Sequence, residues 1–257
     1  ITERLVGSEM CIRDRDWPLA LHAAKRWAQV QPERIEAQQV LGILHLRNDN
    51  IDAAEANFLQ VMKSASDSPR QGFSIIINTL SQVHDVKNSL ALMGRLVAHY
   101  YTNPYGHLAY ANLAMGAGEY RLAVDESELA IGFKPDMTKA RVLRSRALNA
   151  LGEHDMAIKE MRDLVDADPD NYEQRMGYAQ MLLQARQLLE AASQFEILLQ
   201  QRPNETALTY MLGLTYMQAE QYEKSRQYFQ DLVDGHRRLD ESYYYLGLLA
   251  EEMGDLE

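Results

Sequence analysis

The residues of this sequence best suited to metal binding or nucleophilic catalysis are seven histidines and one cysteine, Cys11. The stretch HYYTNPYGH, residues 99–107, gathers two of the histidines with three tyrosines, but without the spacing of a metal motif such as HExxH. No phosphate-binding loop, dinucleotide fingerprint or nucleophile motif occurs either. We therefore predict aromatic packing at residues 99–107, and we predict no catalytic site, no bound metal and no cofactor.

The charge balance argues against a nucleic-acid partner. Asp and Glu together number 37 against 26 Lys and Arg, which gives a net charge of −11. A chain of this charge repels phosphate backbones and anionic lipids. No apolar run approaches the roughly 18 residues needed to cross a bilayer. We therefore expect neither nucleic-acid binding nor a membrane span within these residues.

A repeat of 34 residues organises most of the chain. Pro135, Pro169 and Pro203 are spaced by this interval, and so are Phe195 and Phe229. A constant period of this length indicates stacked supersecondary units that share one continuous core. The register divides the chain into a half repeat 16–34, repeats 35–69, 70–103, 104–137, 138–171, 172–205 and 206–239, and a half repeat 240–257. The unit from 70 is degenerate, because it lacks the terminal proline.

Each unit is predicted to contain two helices. In the unit from 206, the residues Thr209, Leu212, Gly213 and Tyr216 follow the i, i+3, i+4, i+7 spacing of an amphipathic helix, and Phe229 belongs to a second one. The small residue at the eighth place of the unit, here Gly213, would allow two helix axes to approach closely. The pattern therefore predicts a helical hairpin with alternating small and large side chains in its core.

Glycine marks the end of the first helix in several units. Gly118, Gly152 and Gly254 all stand at the fifteenth place. Glycine adopts the left-handed backbone conformation that ends a helix at little steric cost. We therefore predict that the first helix ends at this place and that a short turn leads to the second.

These features resemble the tetratricopeptide repeat family, in which Leu-Gly comes early in the unit and is followed by Tyr at place 11, Ala at 20, Phe at 24 and Pro at 32. The resemblance covers residues 16–257. It implies an all-α, right-handed superhelical solenoid of helix-turn-helix repeats. It also implies a noncatalytic scaffold that binds a protein or peptide partner in its concave groove.

In this family, places 2, 5, 9, 12 and 13 of each first helix face the groove. Carried over to this chain, the resemblance predicts that the groove is lined by Asn78, Gln82, Leu108, Asn112, Met115, Val142, Arg146, Asn149, Met176, Gln180, Gln184, Tyr210, Leu214, Met217, Gln218 and Tyr244, which we call the groove set. Ile43 and Arg47 fall at the same places. Within the YYY stretch at 243–245, helical geometry predicts that Tyr243 faces the core and Tyr244 the groove.

Amide and apolar side chains dominate the groove set. Amides both donate and accept, so Asn78, Asn112 and Gln180 are suited to pair with the main chain of an extended polypeptide, while the methionines accommodate varied side chains. The alternative is that the amides only solvate a helix face and the methionines pack in the core. At places 5, 9, 12 and 13 only Arg47 and Arg146 are basic, which departs from the basic clamp by which some family members hold a C-terminal carboxylate.

The stretches ALMGRLV and NPYGHLAYANLAMGAGEY are similar to an outer-membrane lipoprotein of Gram-negative bacteria built from these repeats. Such proteins are adaptors that hold a periplasmic carboxyl-terminal processing protease and deliver its substrates. The resemblance implies an outer-membrane anchor and a periplasmic location, with a cytoplasmic location as the alternative. Two other functions stay open: an assembly or secretion scaffold that uses the convex face, or the repeat part of a larger multidomain protein. The oligomeric state is not predicted.

Residues 1–15 do not follow the repeat pattern. Their core, LVGSEMCIRDR, resembles the translation of a transposon-end adapter used to prepare sequencing libraries. We therefore expect residues 1–15 to be foreign to the natural protein, and its own N-terminus, with any signal peptide or lipid anchor, to be missing. On this interpretation Cys11 carries no functional meaning.

Overall fold

The structure is a computed structural model of the chain, and it describes residues 17–65 and 68–254. All regular secondary structure in these two ranges is helical, as predicted. The helices are α1 Trp17–Val30, α2 Ile35–Arg47, α3 Ile51–Ser64, α4 Pro69–Leu80, α5 Val86–His99, α6 Pro104–Gly116, α7 Tyr120–Phe133, α8 Thr138–Ala150, α9 His154–Ala167, α10 Tyr172–Gln184, α11 Leu188–Gln201, α12 Thr206–Gln218, α13 Tyr222–Asp234 and α14 Leu239–Met253. The adapter-like residues 1–15 lie outside the described residues.

The chain forms two compact units, one ending at Ala147 and the other beginning at Leu148. In the first unit, α2 packs against α3 and α6 against α7, and the first helices α4 and α6 also contact each other. In the second unit, α10 packs against α11 and α12 against α13, while α14 packs against α13. Neighbouring helices thus bury one another's apolar stripes, as expected for hairpins repeated along the chain.

A left-handed residue ends the first helix of six repeats. Gly118 and Gly152 have φ values of 78° and 83°, and Gly254 has 76°, as the sequence predicted. Asp49, Arg186 and Glu220 adopt the same conformation at the same place, with φ values of 54°, 60° and 56°. The turn is therefore imposed by the packing of the hairpin even where the side chain disfavours it.

The small residue at the eighth place lets a phenylalanine ring approach the helix backbone. A Cβ atom at Gly213 would lie 2.8 Å from Cζ of Phe229, and one at Gly42 would lie 2.7 Å from Cε2 of Phe58. Both rings are fully buried. At Gly247, in contrast, no described atom beyond its chain neighbours and the backbone of its own helix turn lies within 4 Å of the Cβ position.

Because Gly213 lacks space for a Cβ atom and Gly247 has it, alanine substitutions at the two positions should change the free energy of unfolding in opposite directions. We expect Gly213→Ala to lower the free energy of unfolding by about 1–2 kcal/mol, because overpacking against Phe229 exceeds the gain in helix propensity. We expect Gly247→Ala to raise it by about 1 kcal/mol, because the gain in propensity meets no steric cost. Urea denaturation followed by circular dichroism would measure both. Equal effects of the two substitutions would contradict the packing explanation.

In some repeats, a buried polar side chain at the fourth place connects the first helix to the preceding turn and to the second helix. Gln38, at 6% exposure, donates from Nε2 to the carbonyl of Pro32 at 2.9 Å and accepts from the Asn57 amide at 2.7 Å. The carbonyl belongs to the turn before the first helix, and Asn57 belongs to the second helix. The side chain therefore fixes the turn against the hairpin.

Arg175 and His107 occupy the same fourth place in their repeats, and each contacts a turn carbonyl and a side chain of the second helix, as Gln38 does. Nη2 of Arg175 donates to the Pro169 carbonyl at 2.7 Å, and its Nη1 donates to Oε1 of Gln194 at 2.6 Å. His107 lies between the Tyr101 carbonyl, 2.6 Å from Nε2, and the Glu126 carboxylate, 2.7 Å from Nδ1. His107 also stacks on Phe133, with ring centroids 5.6 Å apart. The packing at residues 99–107 is therefore aromatic, as predicted.

Candidate functional site

The sixteen residues of the groove set all reach solvent, and none is fully buried. The more exposed members are Asn78, Gln82, Asn112, Arg146, Gln180, Gln184, Gln218 and Tyr244. The half-buried members are Leu108, Met115, Val142, Asn149, Met176, Tyr210, Leu214 and Met217. Each unit therefore contributes both amide and half-buried apolar side chains to this set, a composition suited to polypeptide contacts.

In the first unit, part of the groove set lines a pocket between α2 and the end of α4, closed on one side by Trp17 at the start of α1. We call it the Trp17 pocket; its volume is about 450 Å³. Its apolar lining consists of Trp17, Val40, Ile43, Leu44 and Val83. Its polar lining consists of Glu36, Gln39, Arg47, Asn78, Thr79 and Gln82. The lining combines an apolar floor with a polar rim, as small binding sites usually do.

The rim of the Trp17 pocket is held by contacts between helices. Gln39 Nε2 donates to Oγ1 of Thr79 at 2.5 Å, and this hydroxyl donates to the Ile75 carbonyl at 2.8 Å. These bonds tie α2 to α4 beside the pocket. The guanidinium of Arg47 lies over the Trp17 ring, 4.4 Å from its centroid, a distance typical of a cation–π contact.

The sequence-based assignment identified only part of this pocket. Asn78 and Gln82 belong to the groove set, and Ile43 and Arg47 fall at family groove places. Gln39, at place 5 of its repeat, could have been found by carrying the same places over to the unit from 35. Trp17, Val40 and Val83 do not fall at those places, so only the packing of α1, α2 and the turn after α4 brings them in.

The other members of the groove set in the first unit lie along α6 and α8. The side chain of Asn112 donates to the Leu108 carbonyl at 2.8 Å, so this amide is partly engaged within its own helix. Leu108 packs on a small cluster formed by Ala130, Met137 and Ala140. These residues present a half-buried apolar surface with an amide beside it.

In the second unit, two amides of the groove set bind each other. Asn149 Nδ2 donates to Oε1 of Gln184, and Nδ1 of His154 lies 2.7 Å from Oδ1 of Asn149. Their hydrogen-bonding capacity is therefore shared with neighbouring repeats. Within the described residues, the structure records no such bond for the side chains of Gln180 and Gln218.

The aromatic residues of α14 differ from the prediction. Tyr244 is 63% exposed, as expected for a groove residue, but Tyr243 is also 59% exposed and does not face the core. Tyr245 packs instead, stacked on Phe229 with ring centroids 4.9 Å apart. The reason is that the core-facing stripe of α14 passes through Tyr245 and the buried Leu249, which leaves Tyr243 off the stripe.

Burial raises the pKa of several tyrosines in the second unit that lie in packing contacts, among them Tyr216, Tyr178 and Tyr228. Burial, together with a hydrogen bond to Glu190 at 2.6 Å, raises the pKa of Tyr178 to about 12. Burial and the charge of Glu196 raise the pKa of Tyr228 to about 12. Both hydroxyls therefore stay protonated near neutral pH and serve as hydrogen-bond donors between helices.

Within residues 17–65 and 68–254, no group of three or more His, Cys, Asp or Glu side chains is arranged to hold a metal ion. No helix of the described chain combines the length and the apolar character needed to cross a membrane.

Comparison with known proteins matches part of this chain to a family. Residues 142–206 and 210–257 match the family model described as tetratricopeptide repeat. A segment of 64 residues is 34% identical to Protein PHOX1 of Arabidopsis thaliana, covering 25% of this chain. The chain spans only 9% of the length of that curated relative.

Several solved structures share the fold. A tetratricopeptide repeat protein from Parabacteroides merdae is 13% identical to this chain. The match covers 96% of this chain and 98% of the Parabacteroides chain, with a TM-score of 0.51. YrrB, described as a TPR protein with an unusual peptide-binding site, is 19% identical over 77% of this chain and 98% of its own, with a TM-score of 0.53. MamA from Desulfovibrio magneticus is 13% identical over 64% of this chain and 93% of its own, with a TM-score of 0.56. At these identities the likeness shows the fold alone. Together with the 34-residue period and the paired helices, the family match identifies residues 142–206 and 210–257 as tetratricopeptide repeats, and the described helices share the fold of solved tetratricopeptide repeat proteins. Tetratricopeptide repeat proteins bind protein or peptide partners.

Proposed function

We propose that this chain is a noncatalytic scaffold that binds an extended polypeptide along the exposed faces of its first helices. The observation that carries the proposal is the composition of those faces. All members of the groove set reach solvent, and most are either amides or half-buried apolar side chains. Amides can pair with a peptide main chain, and apolar side chains between them can contact alternate side chains of that peptide.

More specifically, we propose that the polypeptide partner is a periplasmic carboxyl-terminal processing protease or its substrates, with the chain as an adaptor anchored at the outer membrane. The support is the similarity of ALMGRLV and NPYGHLAYANLAMGAGEY to lipoproteins with that role. A pull-down from whole-cell extract of a Gram-negative bacterium, which contains both periplasmic and cytosolic proteins, should then recover such a protease or its substrate. Recovery of cytosolic chaperones alone would contradict this assignment.

The groove proposal predicts a specific loss of binding on removal of three amides. We expect the combined change Asn78→Ala, Asn112→Ala and Gln180→Ala to weaken partner binding roughly tenfold or more, since each net hydrogen bond contributes about 0.5–1.5 kcal/mol. Surface plasmon resonance with the recovered partner would measure the change.

A matched control removes three amides from second helices. Gln200, Gln201 and Gln227 are exposed on α11 and α13, so their change to Ala alters the same chemistry on the opposite elements of the hairpins. We expect full binding by this control. The reverse result, in which the control loses binding and the groove variant keeps it, would favour the scaffold that uses the convex face.

A further inference from the structure

The Trp17 pocket has a binding capacity that the protein itself does not use. Its floor is apolar, with Leu44 at 2% and Val83 at 8% exposure beneath the half-buried Val40 and Ile43. On its rim, the exposed side-chain amides of Asn78 and Gln82 have no recorded hydrogen-bond partner among the described residues. An apolar site edged with unengaged amides suits a peptide whose side chain enters the pocket while its main chain meets the amides.

The charges at the rim specify the partner further. Glu36 is paired with Arg34 at 3.3 Å between Oε2 and Nε. In the part of the chain that the structure describes, no carboxylate is recorded within ion-pair distance of Arg47, and its guanidinium lies over the ring of Trp17. A guanidinium stacked on an aromatic ring keeps its N–H edge available, and that edge matches a carboxylate. The rim is therefore complementary to one negative charge beside the apolar floor.

The same features disfavour other classes of ligand. A nucleotide or another polyanion would meet a single unpaired cation in a chain with a net charge of −11. A small polar metabolite would leave the apolar floor without contacts. The volume of about 450 Å³ admits a large side chain together with part of the main chain that carries it.

We propose that the Trp17 pocket takes one bulky apolar side chain of an extended peptide, and that Arg47 binds the carboxylate of an acidic residue next to it. This rests on the proposed function and deepens it, because it gives the scaffold a sequence preference. The anchor enters between Trp17 and Ile43, and the amides of Asn78 and Gln82 bind the peptide backbone.

The probe is a synthetic nonapeptide with acetylated and amidated ends, containing one Phe followed by one Glu in a Gly–Ser background, used with the whole chain in isothermal titration calorimetry. We expect this peptide to bind. Exchanging its Phe for Ala should weaken binding about tenfold or more, because the anchor is lost. Exchanging its Glu for Gln should weaken binding severalfold at low salt.

A double-mutant cycle assigns the carboxylate to Arg47. In Arg47→Met, which keeps a long side chain over Trp17, exchange of the peptide Glu for Gln should have no effect. Arg70→Met is the matched control, because the exposed guanidinium of Arg70 lies over the ring of Tyr105, 5.5 Å from its centroid, outside both the pocket and the groove set; there the effect of the exchange should persist. An unchanged thermal unfolding midpoint confirms that both variants are folded.

Several results would overturn the proposal. The first is that the probe does not bind, and the second is that the change from Glu to Gln weakens binding equally in the wild type and in Arg47→Met. The third is that the probe binds only after removal of residues 1–15, which would show that the chain's own segment occupies the pocket. A dimer that Ile43→Ala dissociates would assign the pocket to a second copy. If the probe does not bind but the Asn78, Asn112 and Gln180 triple variant still loses binding to the recovered partner, only this inference is wrong. If the triple variant also retains full binding to that partner, the proposed function is wrong as well.

Discussion

Replacing Phe229 by Ala is expected to lower the free energy of unfolding of the second unit by about 3–5 kcal/mol. The ring is fully buried and lies against the backbone of Gly213. It also stacks on Tyr245 at 4.9 Å and meets Tyr210 edge-on at 5.9 Å between centroids. Its removal would leave a cavity that three helices share, and helices of a regular repeat cannot collapse into it without shifting their neighbours.

Urea denaturation and hydrogen exchange would measure this loss. Because stability in a repeat array is a sum over neighbouring units, exchange should accelerate most in α12, α13 and α14. Leu189→Ala is the control, since that side chain is 59% exposed and its loss should change stability by no more than about 0.5 kcal/mol. A similar loss in both variants would show that the ring does not carry the packing assigned to it.

The second large effect is expected at His107, whose side chain is 1% exposed. Both ring nitrogens lie within 2.7 Å of oxygens, one from the Tyr101 carbonyl and one from the Glu126 carboxylate. A carbonyl and an ionised carboxylate can only accept, so a doubly protonated ring satisfies both. Arg175 supports this assignment, because it donates to both partners in the equivalent position of its own repeat.

The pKa of His107 is raised above its ordinary value of 6.5. Burial on its own would lower this pKa, but the hydrogen bonds to Glu126 and the Tyr101 carbonyl and the charge of Glu126 together outweigh burial. The stabilising contribution is therefore complete below about pH 6.5, the unfolded pKa, and is lost as the pH rises through the higher folded pKa.

We expect His107→Ala to lower the free energy of unfolding by about 3 kcal/mol at pH 6. It leaves the Glu126 carboxylate, which is 13% exposed, without its partner. The difference between wild type and variant should shrink as the pH rises above neutrality. Urea titrations between pH 5.5 and 9 would test this, and a difference that grows with pH would contradict the charged pair.

Another repeat of the chain supplies a control for the same position. The double variant His107→Gln, Glu126→Asn recreates the Gln38–Asn57 pair, in which Gln38 donates to a turn carbonyl and accepts from the amide. We expect this variant to keep most of the stability and to lose its pH dependence near neutrality. A purely steric role for His107 would leave the pH profile unchanged.

The sequence by itself determined the repeating helices and the faces that they expose. Gly118 and Gly152 end their helices in the left-handed conformation, as the 34-residue register predicted, and the predicted close approach at Gly213 is made by the ring of Phe229. The residues of the groove set reach solvent, while their assignment to a binding groove stays a prediction. These features depend on the helical period and on local backbone preferences, which neighbouring residues within one repeat already encode.

Only the tertiary structure decided which side chains from different helices meet. It paired Asn149 with Gln184, placed His107 against Glu126, and set Arg47 over Trp17 beside a pocket. It also turned Tyr243 to solvent, against prediction. Such contacts depend on how far and at what angle neighbouring helices approach, and a pattern of apolar positions along one helix leaves both quantities open.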